Sequence, residues 1–246
     1  MRRVLIVGAT SAIAVACARC WSREETRYFL VARDAGRLEH VAADLRVRGA
    51  ADVHTFVLDV TQSELHERMV EAAVAALGHV DVALIAHGTL PDQAACERDP
   101  ELALRQFAVN GTSVIALLTR LAGVFEAQRD GCLAVITSVA GDRGRPSNYL
   151  YGSAKAAVST YCEGLRARLF GSGVHVIDIR PGFVDTPMTQ GLPLPRRLVA
   201  RPEAVAGRIV AGIDRRVDVL YAPAYWRLIM LVVRSIPGVV FKRLRL

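Results

Sequence analysis

Short apolar runs alternate with longer stretches of helical periodicity from one end of this 246-residue chain to the other. That alternation leaves few folds open. A connection of helix length between successive short strands is what parallel pairing needs, whereas antiparallel neighbours can be joined by a tight turn. The apolar runs predict strands near 3–7, 27–32, 53–58, 80–86, 131–137, 174–180 and 217–221, and the periodic stretches predict helices near 11–23, 34–48, 62–77, 99–127, 150–170 and 202–214. The expected fold class is α/β: a Rossmann-like, doubly wound parallel sheet of about seven strands. No linker or internal repeat divides the sequence, so residues 1–246 are expected to form a single domain, with 222–246 as an apolar and basic tail. The segment 187–197 holds three prolines and is expected to be a surface loop or lid.

A hydrophobic fraction of 52% with only 6% aromatics predicts a core of Ala, Val, Leu and Ile. The net charge of +7 is spread along the chain without interleaved aromatics, so no nucleic-acid partner is expected. Five scattered cysteines do not make a disulfide framework. Cys17 and Cys20 form a C-x-x-C inside a helical stretch, with no second pair and no histidine at ligand spacing, so packing is expected rather than a metal. The first residues enter a strand at once, after too short an apolar run for a signal peptide, and the expected compartment is the cytoplasm.

Tyr151 and Lys155 stand one helical turn apart, so phenol and ammonium share a helix face. A neighbouring ammonium favours phenolate and is expected to lower the tyrosine from its usual pKa of about 10. Ser138 ends an apolar run upstream, which sets a hydroxyl at a strand terminus. Near the N-terminus, Val4 to Ala14 reads as strand, tight turn and helix start, where a dinucleotide pyrophosphate can rest on backbone N–H groups. Gly8 permits the turn, and Thr10 and Ser11 either cap the helix or bind phosphate oxygens. Ala12 and Ala14 occupy positions often held by glycine, and their methyl groups narrow the approach.

After the second predicted strand, Arg33 comes first, then Asp34 and Arg37. A carboxylate there would accept hydrogen bonds from a ribose, and a guanidinium would pair with a 2′-phosphate. The order favours NADP(H), with NAD(H) left open by Asp34. Asp59 closes the third strand and either binds the adenine amino group or caps the next helix.

Taken in order, Gly8, Asp59, Asn110, Ser138, Tyr151 with Lys155, and Arg180-Pro181-Gly182 followed by Thr186 resemble the short-chain dehydrogenase/reductase family over nearly the whole chain. That resemblance implies an NAD(P)(H)-dependent oxidoreductase that reduces a ketone or oxidises a secondary alcohol by hydride transfer. It implies Tyr151 as acid/base and Ser138 on the carbonyl oxygen. Lys155 would tune the phenol and bind the nicotinamide ribose, and Asn110 would hold a water. The implied cofactor contacts are Gly8, Thr10, Ser11, Ala12, Ile13, Arg33, Asp59, Val60, Ala86, His87, Gly88, Pro181, Gly182, Val184 and Thr186, besides Tyr151 and Lys155. The family's usual Asn-Ala-Gly is here Ala86-His87-Gly88, and His87 is read either as a cofactor or substrate contact or as a ring satisfied by backbone.

Within the family, residues 140–148 and the tail 221–237 resemble reductases acting on decaprenylphosphoryl-2-keto-β-D-erythro-pentose, a lipid-linked ketosugar. A 3-oxoacyl thioester reductase would share every catalytic residue. A non-catalytic redox sensor is the alternative of another class. The tail is apolar on nearly every helical face between 224 and 234, with Arg227 and Arg234 as a polar stripe and Lys242, Arg243 and Arg245 beyond. It is too short to span a bilayer. Two coverings suit it: a homodimer or homotetramer interface, or the surface of a membrane.

Overall fold

The computed structural model describes residues 1–22 and 25–244. Its strands are β1 (Arg2–Val7), β2 (Thr26–Ala32), β3 (Asp52–Val57), β4 (Val82–Ile85), β5 (Cys132–Ile136), β6 (His175–Pro181) and β7 (Val219–Ala222). All pair in parallel, in the order β3-β2-β1-β4-β5-β6-β7. Being buried on both faces, the central strands read as unbroken apolar runs, and Val4 to Val7 are at most 1% exposed. The chain reverses its direction of winding between β1 and β4, and the crevice beyond the strands' C-terminal ends opens there.

Helices α1 (Ala12–Trp21), α2 (Ala35–Val47) and α8 (Pro202–Asp214) cover one face, and α3 (His66–Leu77), α6 (Ser113–Gln128) and α7 (Tyr149–Leu169) the other. Each face has its own core, the first around Trp21, Tyr28 and Leu38 and the second around Met69, Leu117 and Phe125. The run from Pro100 to Gln128 is long and apolar enough to cross a membrane. Here it serves the core, since Val114, Leu117, Leu121 and Phe125 are at most 1% exposed.

Predicted and observed elements differ in several places. The single helix expected over 99–127 is two, α5 (Pro100–Phe107) and α6, joined by a π turn at Ala108–Thr112. The extra residue of a π turn shifts the face a helix presents, and it brings Asn110 beside the strand ends. A six-residue helix, α4 (Gln93–Arg98), was not anticipated, being too short to show periodicity; Asp92 caps it by accepting from the Ala95 N–H at 3.1 Å. The tail forms α9 (Tyr225–Ser235) and α10 (Gly238–Phe241). The first helix ends at Trp21, two residues short of expectation, and residue 23 and Arg245 lie outside the described residues.

Candidate active site

The first βα turn is built around Gly8, whose φ of +83° is a conformation that side chains disfavour. Parallel pairing of β1 with β4 brings this turn against the start of the next loop, and a Cβ on Gly8 would lie 2.5 Å from the His87 backbone nitrogen. Ser11 caps α1 by accepting from the Ala14 N–H at 3.4 Å. The free N–H groups of this first turn and the positive end of the helix dipole therefore face the crevice. Thr10, Ala12, Ile13, Val60 and Gly88 line the same cleft of about 1810 Å³.

At the end of β2 the charges separate by role. Asp34 caps α2, accepting from the Arg37 N–H at 2.9 Å, and Arg37 in turn reaches the Thr10 carbonyl at 3.4 Å. Arg33 is exposed on the cleft wall and makes no ion pair among the described residues. Asp59 does not cap a helix: its Oδ1 accepts from the Thr61 N–H at 2.9 Å and the Thr61 hydroxyl at 2.7 Å. Those bonds hold its carboxyl below the ordinary range.

Across the cleft, Ser138 follows β5, and its Oγ accepts from the Ala140 N–H at 3.1 Å. Tyr151 and Lys155 occupy the first turns of α7, and Tyr151 and Ser138 line the same part of the cleft. Lys155 is 3% exposed and donates to the Ile136 carbonyl at 3.0 Å, with its Nζ 5.7 Å from the centre of the Tyr151 ring. This arrangement corrects the expected phenol chemistry. Burial pushes the phenol up to about 12, outweighing the lowering by the neighbouring Ser138 hydroxyl, and pushes Lys155 down to about 8.

Asn110 is 1% exposed. Its Oδ1 accepts from the Thr89 N–H at 2.9 Å, and its Nδ2 donates to the Thr89 hydroxyl at 3.1 Å and the Gln106 carbonyl at 3.0 Å. A Cβ on Gly88 would meet this Oδ1 at 2.9 Å and the Lys155 Nζ at 3.5 Å, so the missing side chain is what lets these groups converge. His87 is bonded to a side chain, not to backbone: its Nε2 lies 3.0 Å from Ser113 Oγ. The Ser113 hydroxyl already donates to the Val109 carbonyl at 2.8 Å, so Nε2 must carry the proton and Nδ1 is left as a buried, unpartnered acceptor. Burial pushes this imidazole down to about 3, so it is neutral at physiological pH.

The third wall follows β6. Gly182 donates to the Ala222 carbonyl at 3.1 Å, Val184 bridges to Ala200, and the Thr186 N–H donates to the Thr189 hydroxyl at 3.2 Å. Pro181, Gly182, Val184 and Thr186 all line the cleft, as does Ala86 opposite. Sequence reasoning missed how this wall is finished. The indole of Trp226 on α9 sits where a Gly182 Cβ would be, at 1.8 Å from Nε1, and packs edge-on to Phe183 with 5.0 Å between ring centres. Trp226, Ile229, Met230 and Val233, spaced as one helical face, complete this wall of the cleft. Arg143 fixes this helix by donating to the Val233, Arg234 and Ile236 carbonyls at 2.5, 3.2 and 2.7 Å, and its guanidinium lies 3.7 Å over the Phe241 ring. The i, i+3, i+4, i+7 pattern from Trp226 was the available signal.

Glycine turn, strand-end serine and a Tyr-Lys pair thus meet in one cleft at the carboxyl ends of a parallel sheet. The family model described as "short chain dehydrogenase" matches residues 2–196. The chain belongs to the short chain dehydrogenase family. Two uncharacterized oxidoreductases of Mycobacterium tuberculosis are each 36% identical to this family member over 241 residues, covering 98% of this chain and 96% of theirs. An uncharacterized oxidoreductase of Streptomyces coelicolor is 36% identical over 247 residues, 99% of this chain and 96% of its own. A putative ketoacyl reductase of granaticin polyketide synthase from Streptomyces violaceoruber is 34% identical over 76% of this chain and 69% of its own. The crystal structure of gox2181 superposes with a TM-score of 0.81, covering 89% of this chain and 93% of its own at 20% identity, which bears on the fold alone. This short chain dehydrogenase is accordingly an oxidoreductase.

Proposed function

We propose that the protein is an NADP(H)-linked reductase of a ketone carried on a lipid-linked sugar, working at a membrane surface. The observation that carries the carbonyl chemistry is the convergence of Ser138, Tyr151 and Lys155 on one cleft, with the Lys155 Nζ 5.7 Å from the centre of the Tyr151 ring. The residues fit the cofactor: a cradle that a Gly8 Cβ would fill, an uncommitted Arg33 for a 2′-phosphate, and Asp34 already engaged as a cap. NADPH, when bound, supplies the hydride. Gly8, Thr10, Ser11, Ala12 and Ile13 would hold its pyrophosphate side, with Asp59, Val60, Ala86 and Gly88 around the adenosine, and Pro181, Gly182, Val184 and Thr186 along the nicotinamide side. His87 Nδ1 is an acceptor free for this cofactor.

Ser138 donates a hydrogen bond to the carbonyl oxygen as negative charge grows there, and Tyr151 delivers its phenolic proton to that oxygen. The charge of Lys155, held beside the ring, stabilises the phenolate left behind. Asn110, fixed by Thr89 and Gln106, holds the π turn that places it next to Lys155. An NADPH-oxidation assay over a carbonyl panel, including a lipid-linked 2-ketopentose and a 3-oxoacyl thioester, tests this reading; turnover of no carbonyl would overturn it. Run with both cofactors, the panel should favour NADPH, and Arg33→Ala should cut the NADPH-to-NADH ratio of kcat/KM by about ten- to a hundredfold, as expected for a charge-assisted phosphate contact.

The surface reading rests on α9, which is apolar twice over. One face lines the cleft, and the opposite face presents Leu228, Leu231 and Val232 at 66, 63 and 58% exposure. Val239 and Val240 extend it, and Met188 and Leu192 form the other lip of the cleft. The segments that carry these apolar residues hold Arg196, Arg197, Arg227, Arg234 and Lys242, while the sequence has no Asp or Glu between 186 and 202 or after 218. Two copies joined by a two-fold axis would set these like charges against each other, whereas an anionic bilayer answers both the apolar and the basic element. In co-sedimentation, the protein should pellet with phosphatidylglycerol-containing vesicles and not with pure phosphatidylcholine. Leu228→Asp with Leu231→Asp should weaken that binding by at least about tenfold, from lost apolar burial alone. A stable dimer in light scattering that the same pair of substitutions splits would overturn it. The proposed compartment is the cytoplasmic side of that membrane.

A further inference from the structure

The loop between Ser138 and α7 carries one carboxylate, Asp142, and two arginines, Arg143 and Arg145. Asp142 accepts from Arg180 at 2.8 Å and from the Tyr221 hydroxyl at 2.8 Å, and its side chain is 3% exposed. Arg180 is further engaged by Asp178 at 2.8 Å, and Arg143 by the end of α9. Arg145 is the exception. It lines the cleft, its Nε is buried without a hydrogen-bond partner, and it makes no ion pair among the described residues. Three residues on, Asn148 lines the same cleft, and its Oδ1 is likewise buried and unpartnered. Leaving a buried guanidinium nitrogen unsatisfied is costly, and such a group calls for a partner from outside the chain, a water, an ion or a ligand. The cleft's carboxylates at this end are otherwise occupied, Asp92 as the cap of α4 and Glu97 by Gln93 at 3.3 Å.

We infer that Arg145 receives an anionic group of the substrate, a phosphate ester or phosphodiester, with Asn148 accepting from a neighbouring hydroxyl. This inference rests on the proposed carbonyl reduction and narrows its substrate to anionic, hydroxylated carbonyl compounds. A guanidinium suits this task because its planar donors match two oxygens of one phosphate. The position also explains the division of labour along the loop: Arg143 anchors the tail, while Arg145, two residues later, stays available to the cleft. A phosphodiester next to a ketosugar and the phosphate of a phosphopantetheine thioester offer the same chemistry, so the test must separate them.

The experiment is calorimetric binding to the NADP⁺-loaded protein, which does not depend on turnover. Dihydroxyacetone phosphate is compared with dihydroxyacetone, a prenylphosphoryl ketopentose with the free ketopentose, and a 3-oxoacyl phosphopantetheine with the dephosphorylated thioester. Wild type should bind at least one phosphorylated compound about ten- to a hundredfold more tightly than its twin. Arg145→Met should bring that ratio close to one, and Arg145→Lys should restore part of it, with thermal melting confirming that both variants fold. The pair that shows the preference identifies the source of the phosphate. A wild-type ratio below about twofold in every pair, or a ratio that survives Arg145→Met, would overturn the inference. Failure of the carbonyl panel with the phosphate preference intact would instead sink the reductase reading and leave the anion site standing.

Discussion

Tyr151→Phe should lower kcat for NADPH-linked ketone reduction by about 10²- to 10⁴-fold, the range lost when a positioned general acid is removed. The substitution deletes one oxygen and keeps the ring, so the packing on α7 and over Lys155 is retained. What disappears is the proton at the point where alkoxide charge develops. With the phenol pushed up to about 12, it is protonated throughout the physiological range and ready to donate. Lys155 sets the other limit. Burial lowers its pKa to about 8, so its charge is present below that pH and lost as pH rises through it. The reductive kcat/KM, which reports the free enzyme, should therefore fall as pH rises through about 8. Stopped-flow measurement of NADPH oxidation, with cofactor affinity followed separately by fluorescence, checks both statements. A Tyr151→Phe protein keeping more than about a tenth of wild-type kcat would exclude Tyr151 as the proton donor.

Gly8→Ala should cost roughly 2–5 kcal/mol of stability and abolish cofactor binding, combining a disfavoured backbone conformation with overpacking. Neither contribution can relax cheaply. The residue sits at φ +83°, and the new methyl would meet the backbone of His87 and Ala86 at 2.5 to 2.8 Å, with no flexible side chain to give way. The paired strands behind it are fixed by the β1–β4 ladder, so any accommodation shifts the loop that carries His87 and Gly88. For a chain of this size that loss corresponds to a fall in melting temperature of about 5–20 °C. Differential scanning calorimetry with and without NADP⁺ measures it, and a variant that melts like wild type and is still stabilised by NADP⁺ would contradict the steric argument.

The seven strands of the parallel sheet were legible because buried strands leave continuous apolar runs, as at Val4–Val7 and Leu133–Val135, while their order came only from the structure. Ser138, Tyr151 and Lys155 were legible as a group because the serine ends a strand and the pair spans one helical turn. Their electrostatics were not, since the height of the Tyr151 pKa depends on burial and on where the ammonium lies relative to the hydroxyl, and neither is encoded in spacing. Asn110 was named without its π turn, because a five-residue widening does not disturb the apolar periodicity of the long helical run around it. Trp226 was invisible as a wall of the cleft for a different reason: its partner Gly182 is 44 positions away in sequence, and only the fold reveals that one lacks the side chain whose place the other takes.

Arg143 links parts of the chain that local sequence would keep separate. One side chain terminates α9, covers Phe241 of α10 and belongs to the loop that leads from Ser138 to Tyr151. These segments consequently lack independent freedom to open. Their amides should exchange with solvent deuterium as one cooperative unit, at a rate distinct from the core strands, and the wall of the cleft then comes and goes with the loop in a single opening event.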